Sequence, residues 1–167
     1  MEFGFEETQA IYRSGAQKAR VWTESWVHRW MYCPNCGQPT INKLPGNSPV
    51  ADFRCPDCTE IFELKSGKGR FGRTVVDGAY QTMVRRLLES TNPNLFLLNY
   101  DRERLAVTDV AVVPKHFFVR DVIRERKPLG PRARRAGWIG CNILLSRIPS
   151  IGRISIVRAG RPEPKEM

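Results

Sequence analysis

Three residues of this chain have the types and spacing to act on a phosphodiester. Ten residues separate Asp52 from Glu63, and Lys65 stands two beyond Glu63. If 50–54 and 59–65 are the two strands of one hairpin, Asp52 comes to lie beside Glu63. Period-2 alternation then puts Ile61, Glu63 and Lys65 on one strand face and Phe62 and Leu64 on the other. Two carboxylates so placed form a hard-oxygen site suited to Mg2+. A lysine beside them can hold or activate an attacking water and offset phosphate charge. These are the parts of metal-assisted phosphodiester hydrolysis. An acid-x-lysine triplet on a strand is also common as a solvated charge pair. The upstream Asp52 among apolar neighbours, the strand context and the basic charge of the chain favour the catalytic reading.

The cysteines offer a second chemistry. Cys33-Pro-Asn-Cys36 and Cys55-Pro-Asp-Cys58 make a C-x2-C-x18-C-x2-C pattern. Each short turn can aim two sulfurs at one ion, and two such turns supply the closed thiolate tetrahedron of structural zinc. Four protein ligands leave no open position, so this zinc is not catalytic. Two unrelated redox dithiols are the weaker alternative. Cys141, in the apolar run Trp138–Leu145, reads as a small core residue.

These residues need elements to hold them. The chain has 167 residues, 41% hydrophobic and 26% charged, which is enough for one domain with one core. Thr8 to Trp30 has no Pro and one Gly, and Ile11, Ala19, Trp22, Trp26 and Trp30 recur at helical spacing. The spacing predicts a strand over 59–65, then a Gly/Lys/Arg loop over 66–73. A helix follows over 77–89, capped by Asp77, with Tyr80, Met83, Val84, Leu87 and Leu88 on one face. Strands are expected at 95–100, 105–113, 138–145 and 153–158. The two knuckles form a zinc segment over 33–58, embedded where the hairpin turns. The net charge of +10 points to a polyanionic partner. No apolar run approaches the ~20 residues of a membrane span. The acidic N-terminus lacks the pattern of a secretory signal, which predicts a cytoplasmic protein with reduced thiols.

The D-x10-E-x-K arrangement resembles the PD-(D/E)XK nuclease signature. Longer segments are more specific: QKARVWTESWVHRWMYCPNCG, PVADFRCPDCTEIFELKSGKG, DGAYQTM, VVPKHF and RKPLGPRARRAGWIGCNILLSRIPSIGRI. Together they resemble the catalytic domain of the DpnI-like restriction endonucleases, over about Gln17 to Gly160. That resemblance implies an α/β fold with a PD-(D/E)XK core, a mixed central sheet flanked by helices, and an embedded zinc ribbon. It implies Mg2+-dependent cleavage of double-stranded DNA at GATC carrying N6-methyladenine, by a monomer nicking each strand in turn. It maps Asp52 and Glu63 onto metal-binding acids, Lys65 onto the catalytic lysine, and Cys33, Cys36, Cys55 and Cys58 onto zinc ligands. The Leu64 carbonyl would complete the Mg2+ shell. The family also carries a C-terminal winged-helix domain, which would begin where this sequence ends at Met167. Without it, weaker DNA affinity and methyl dependence are expected, unless the catalytic domain suffices on its own or a separate DNA-recognition partner supplies the reading.

The segment Lys127 to Trp138 is the strongest candidate for reading DNA. Arg132, Arg134 and Arg135 can bind phosphates or take guanine O6 and N7 bidentately. Leu129 and Trp138 can offer apolar surface to an adenine methyl, worth only about 1 kcal/mol of burial. Trp138 otherwise reads as a core residue, and the arginines as a solvated basic loop that still adds phosphate affinity. Lys68 and Arg70 can lie along the backbone near the scissile bond, or form a flexible basic turn. Glu24 can join the metal site from the first helix, although a surface acid paired with Lys or Arg is the plainer reading. Two other functions fit part of the pattern: a non-catalytic zinc-ribbon DNA-binding module, and a structure-selective nuclease indifferent to methylation.

Overall fold

The computed structural model describes residues 14–158 and 161–162. Helix α1 spans Gly15–Trp30 and buries Trp26 and Val27, with Trp22 and Trp30 half-buried. It ends where Met31 turns extended, its N–H still donating to Val27 O at 2.9 Å. Ile11, at the head of the expected stripe, lies outside the described residues.

The strands are β1 (Asn42–Lys43), β2 (Phe53–Arg54), β3 (Ile61–Lys68), β4 (Val75–Ala79), β5 (Asn94–Asp101), β6 (Ala106–Val113), β7 (Ile123–Glu125), β8 (Gly140–Ile143), β9 (Ile154–Arg158) and β10 (Arg161–Pro162). Helix α2 (Tyr80–Leu87) lies between β4 and β5. Among the described residues the strands form two sheets. One has the order β1-β2-β3-β5-β6-β9-β10, the other β4-β8-β7. The large sheet is mixed: β3 and β5 run parallel, and its other pairs antiparallel. The architecture is thus α/β. No described helix is long and apolar enough to cross a membrane.

Strand β5 is buried on both faces, as its apolar run Leu95–Leu98 requires, with Asn94 and Asn99 buried beside it. Phe96, Leu98 and Tyr100 pack with Trp26, Val27 and Met31 of the α1 layer. Phe62 of β3 stacks on Phe96 with ring centroids 4.7 Å apart. Leu95 and Leu97 face the other way, onto Met83 and Leu87 of α2 and onto Ile123, Cys141 and Ile143 of the small sheet. The large sheet therefore lies between α1 on one side and α2 with the small sheet on the other. Phe62 and Leu64 belong to the α1 side, so alternation turns Glu63 and Lys65 toward the small sheet.

Several boundaries differ from the expectation, and of the strand expected over 50–54 only Phe53–Arg54 forms. Strand β3 runs to Lys68, because its parallel register with β5 continues to the pair Lys68 and Tyr100. The basic loop is shortened accordingly. Helix α2 starts at Tyr80 and stops at Leu87, and Asp77 does not cap it. Asp77 sits in β4 opposite Cys141 of β8, and the strand pairing overrides local capping preference. The strand expected over 138–145 is confined to 140–143, followed by a 3-10 turn at Leu145–Arg147.

Candidate active site

The two cysteine turns have the same local build. The Cys33 N–H donates to Gln38 O at 2.8 Å and the Cys55 N–H to Glu60 O at 2.9 Å, five residues on in both cases. The residue after the second cysteine takes the left-handed conformation in each, Gly37 at φ 82° and Thr59 at φ 62°. Glycine does this freely, and threonine at a steric cost. The four sulfurs lie within 4.8 Å of one another, with Cys33–Cys58 and Cys36–Cys55 both at 3.6 Å. A tetrahedron with Zn–S bonds of about 2.3 Å has sulfur–sulfur edges of about 3.8 Å. The four thiols therefore fit one zinc ion and are too far apart for disulfides. Cys141 is fully buried on β8, in the core, as its apolar setting predicts.

Zinc would pin the hairpin that carries the acids. Strands β2 and β3 pair only at Phe53–Phe62 and Arg54–Ile61. The Asp52 N–H still donates to Phe62 O at 2.9 Å. Beyond it β2 gives out while β3 runs on, leaving that side of β3 without a strand. The Asp52 carboxylate takes the place of one, accepting the Leu64 N–H at 2.7 Å. In an extended strand a residue's N–H and C=O point to the same side, so the Leu64 carbonyl faces this gap too. The gap opens into a cleft of about 360 Å³, lined by Asp52, by Glu63, Leu64 and Lys65 of β3, and by Arg20 and Glu24 of α1. Val50 borders it at φ 46°, a strained conformation for a β-branched residue.

The cleft is crowded with opposed charges. Lys65 Nζ donates to Glu63 Oε1 at 2.5 Å and lies 2.6 Å from Asp77 Oδ1. Glu24 is buried and held by Arg20 Nε and by Lys43 Nζ, the latter at 2.5 Å. Arg20 also reaches Asp52 at 3.4 Å. Burial pushes the Glu63 carboxyl up to about 7 against the pull of Lys65. Burial likewise raises Asp52, against the Leu64 N–H and the Lys65 charge. For Lys65 burial acts downward, but Glu63 and Asp77 outweigh it and leave the ammonium firmly protonated. Buried acids whose charged forms are disfavoured are well placed to gain from a cation.

The sequence reading found Asp52, Glu63, Leu64 and Lys65, and the structure brings them together. It missed Asp77, Arg20 and Lys43, and it preferred a surface position for Glu24, which is buried in the cleft wall. Asp77 carried a signal: Asp-Gly after two valines marks an irregular strand rather than a helix cap. The register indeed shifts between Asp77 and Ala79. Lys68 and Arg70 are not in the cleft. Lys68 lines a separate concavity with Trp22 and Tyr100, and Arg70 another with Asn99 and Asp109.

The basic loop between β7 and β8 closes on itself. The Leu129 N–H donates to Trp138 O at 2.9 Å and the Gly137 N–H to Leu129 O at 2.8 Å. Leu129 and Trp138 are therefore neighbours, both half-buried, whereas Arg132, Arg134 and Arg135 are exposed. The Arg135 guanidinium lies 4.4 Å from the centroid of the Trp138 ring. Trp138 is thus a partly covered ring at the rim, and not a core residue.

Fold and site together define an α/β protein with a charged cleft at a split sheet edge and a four-cysteine centre beside it. The chain belongs to the DpnI family, the Dam-replacing family, whose model matches residues 1–167. Membership implies a restriction endonuclease acting on DNA.

Proposed function

We propose that this chain is a Mg2+-dependent endonuclease, one PD-(D/E)XK nuclease domain over 1–167, that cuts double-stranded DNA at GATC carrying N6-methyladenine. The observation that carries the reading is the convergence of Asp52, Glu63 and Lys65 at the split edge of β3, in a member of the DpnI family. Two carboxylates and the Leu64 carbonyl are an all-oxygen donor set, which suits Mg2+. When bound, the ion polarises the phosphate and acidifies water. Lys65 holds the attacking water and offsets charge on the phosphate. Water adds to phosphorus, the P–O3′ bond breaks, and the 3′ oxygen leaves with a proton. Zinc on Cys33, Cys36, Cys55 and Cys58 is structural.

Arg132, Arg134 and Arg135 contact phosphates or guanine edges, and Leu129 and Trp138 offer the apolar surface for the methyl group. Lys68 and Arg70, outside the cleft, add sequence-independent attraction to the backbone. The protein acts as a cytoplasmic monomer, alone or with a separate DNA-recognition partner.

Digestion of plasmid DNA with Mg2+ tests this. The substrates are fully methylated, hemimethylated and unmethylated at GATC, with Asp52→Asn run beside the wild type. GATC-spaced fragments from methylated plasmid alone, absent with the variant, are the expected result. Binding without any cleavage would instead make this a DNA-binding module. Cleavage indifferent to methylation would leave a nuclease of other specificity.

A further inference from the structure

We propose that Asp77 is a positioning residue for strand cleavage: from β4 of the small sheet it holds the Lys65 ammonium in place while Glu63 serves the metal. The inference rests on the nuclease reading above. Lys65 is caught between two acids, at 2.5 Å from Glu63 Oε1 and 2.6 Å from Asp77 Oδ1, and its side chain is 18% exposed. Glu63 cannot give the same lone pairs to an ammonium and to a metal ion. A metal ion on Glu63 would draw that carboxylate's charge away from Lys65, and Asp77 would remain as the anchor the ion does not share. Without Asp77 a buried ammonium on a flexible four-carbon stem would have no fixed direction.

The side chain of Asp77 is itself constrained. It is 8% exposed, and the oxygen that meets Lys65 also accepts the Gly78 N–H at 2.6 Å. Its second oxygen is buried and has no hydrogen-bond partner among the described residues. Its backbone fixes it as well. Asp77 pairs with Cys141, and the register slips at Gly78 before Ala79 meets Gly140. A Cβ on Gly140 would lie 2.8 Å from the Trp138 ring and 3.4 Å from the Asp77 carbonyl. The carboxylate that steers the lysine and the ring at the rim of the basic loop therefore share one irregularity of one sheet.

A double-mutant cycle tests the proposal, read by single-turnover cleavage with Mg2+ and by DNA affinity with Ca2+ in its place. The variants are Asp77→Asn, Asp77→Glu, Lys65→Ala and the double variant Asp77→Asn/Lys65→Ala, each checked by circular dichroism and zinc content. Asp77→Asn is expected to slow cleavage about 10- to 100-fold with affinity within about twofold, as a misplaced reacting group does. In the Lys65→Ala background it should cost nothing further, because it acts through Lys65. Asp77→Glu, which keeps the charge but lengthens the arm, should fall between Asp77→Asn and wild type. A folded Asp77→Asn that cuts at the wild-type rate overturns the proposal. So does a loss that adds in full to Lys65→Ala, or one that appears in affinity instead of rate. If Asp77→Asn does not fold, Asp77→Glu decides, and a wild-type rate there overturns it. A wild type that cuts no DNA removes the nuclease reading and this proposal together, whereas a wild type that cuts isolates the failure to Asp77.

Discussion

Glu63 is the residue on which pH should act. Burial raises its carboxyl from an ordinary 4.5 to about 7, so the folded protein holds a proton there that the unfolded chain releases. Its contribution to stability is full below about pH 4.5 and is lost as pH rises through about 7. Asp52 is raised as well and adds in the same direction. Lys65, raised above an ordinary 10.5, is protonated in both states and adds no slope in this window. The metal-free protein should therefore melt at lower temperature at about pH 8 than at about pH 5. Added MgCl2 should restore the difference mainly at the higher pH, where the carboxylates are free to bind it. Thermal melts with and without MgCl2 check this, and a flat profile would contradict it. Cleavage at limiting Mg2+ should rise through about pH 7 for the same reason.

At the scale of elements, two devices hold the proposed functional residues. The first is the pair of cysteine turns, which closes the loop around the short β2–β3 hairpin. A segment with so little core of its own would depend on a bound zinc ion for its fold. Cys36 is exposed, so Cys36→Ser removes a ligand without opening a cavity. It should lose zinc, lower the melting temperature and abolish cleavage. Cys141→Ser should keep one zinc per chain and cost about 1–3 kcal/mol for a buried hydroxyl. Zinc content and melting curves for the two variants distinguish these outcomes. The second device is the β7–β8 loop, where Trp138 sits on the bare Cα of Gly140. An added Cβ would meet the ring at 2.8 Å, so Gly140→Ala must displace it. We expect about 1–3 kcal/mol of overpacking strain. Preference for methylated over unmethylated sites should fall, with non-specific DNA affinity retained. Competition binding with the two DNAs measures this.

The whole molecule carries a charge of +10, and exposed Lys127, Arg132, Arg134 and Arg135 concentrate part of it on one loop. DNA affinity should fall steeply with salt, as counterion release requires. Arg132→Ala should reduce the slope of log K against log salt by about one if Arg132 binds a phosphate, weakening methylated and unmethylated DNA alike. A specific loss at GATC with an unchanged slope would place Arg132 on a base instead. The layering also explains why the acids stay reachable although they are buried. The large sheet buries its apolar faces against α1 and α2, while the site sits where β2 gives out beside β3, open to solvent through the cleft.

The sequence by itself determined the four sulfurs, the pairing of Asp52 with Glu63 and Lys65, the buried run of β5 and the basic loop. All of these follow from short-range spacing: a CxxC turn, a period of two along a strand, a hairpin pinned at its turn. Only the tertiary structure decided that Asp77 leaves its expected helix for β4 and meets Lys65. It alone put Glu24, Arg20 and Lys43 around the acids, and it took Lys68 and Arg70 away from them. Those contacts join separate elements across a packed interface, where local periodicity carries no information. Asp77 reaches Lys65 because β4 pairs with β8 and the small sheet packs on the face of the large sheet to which alternation turns Lys65.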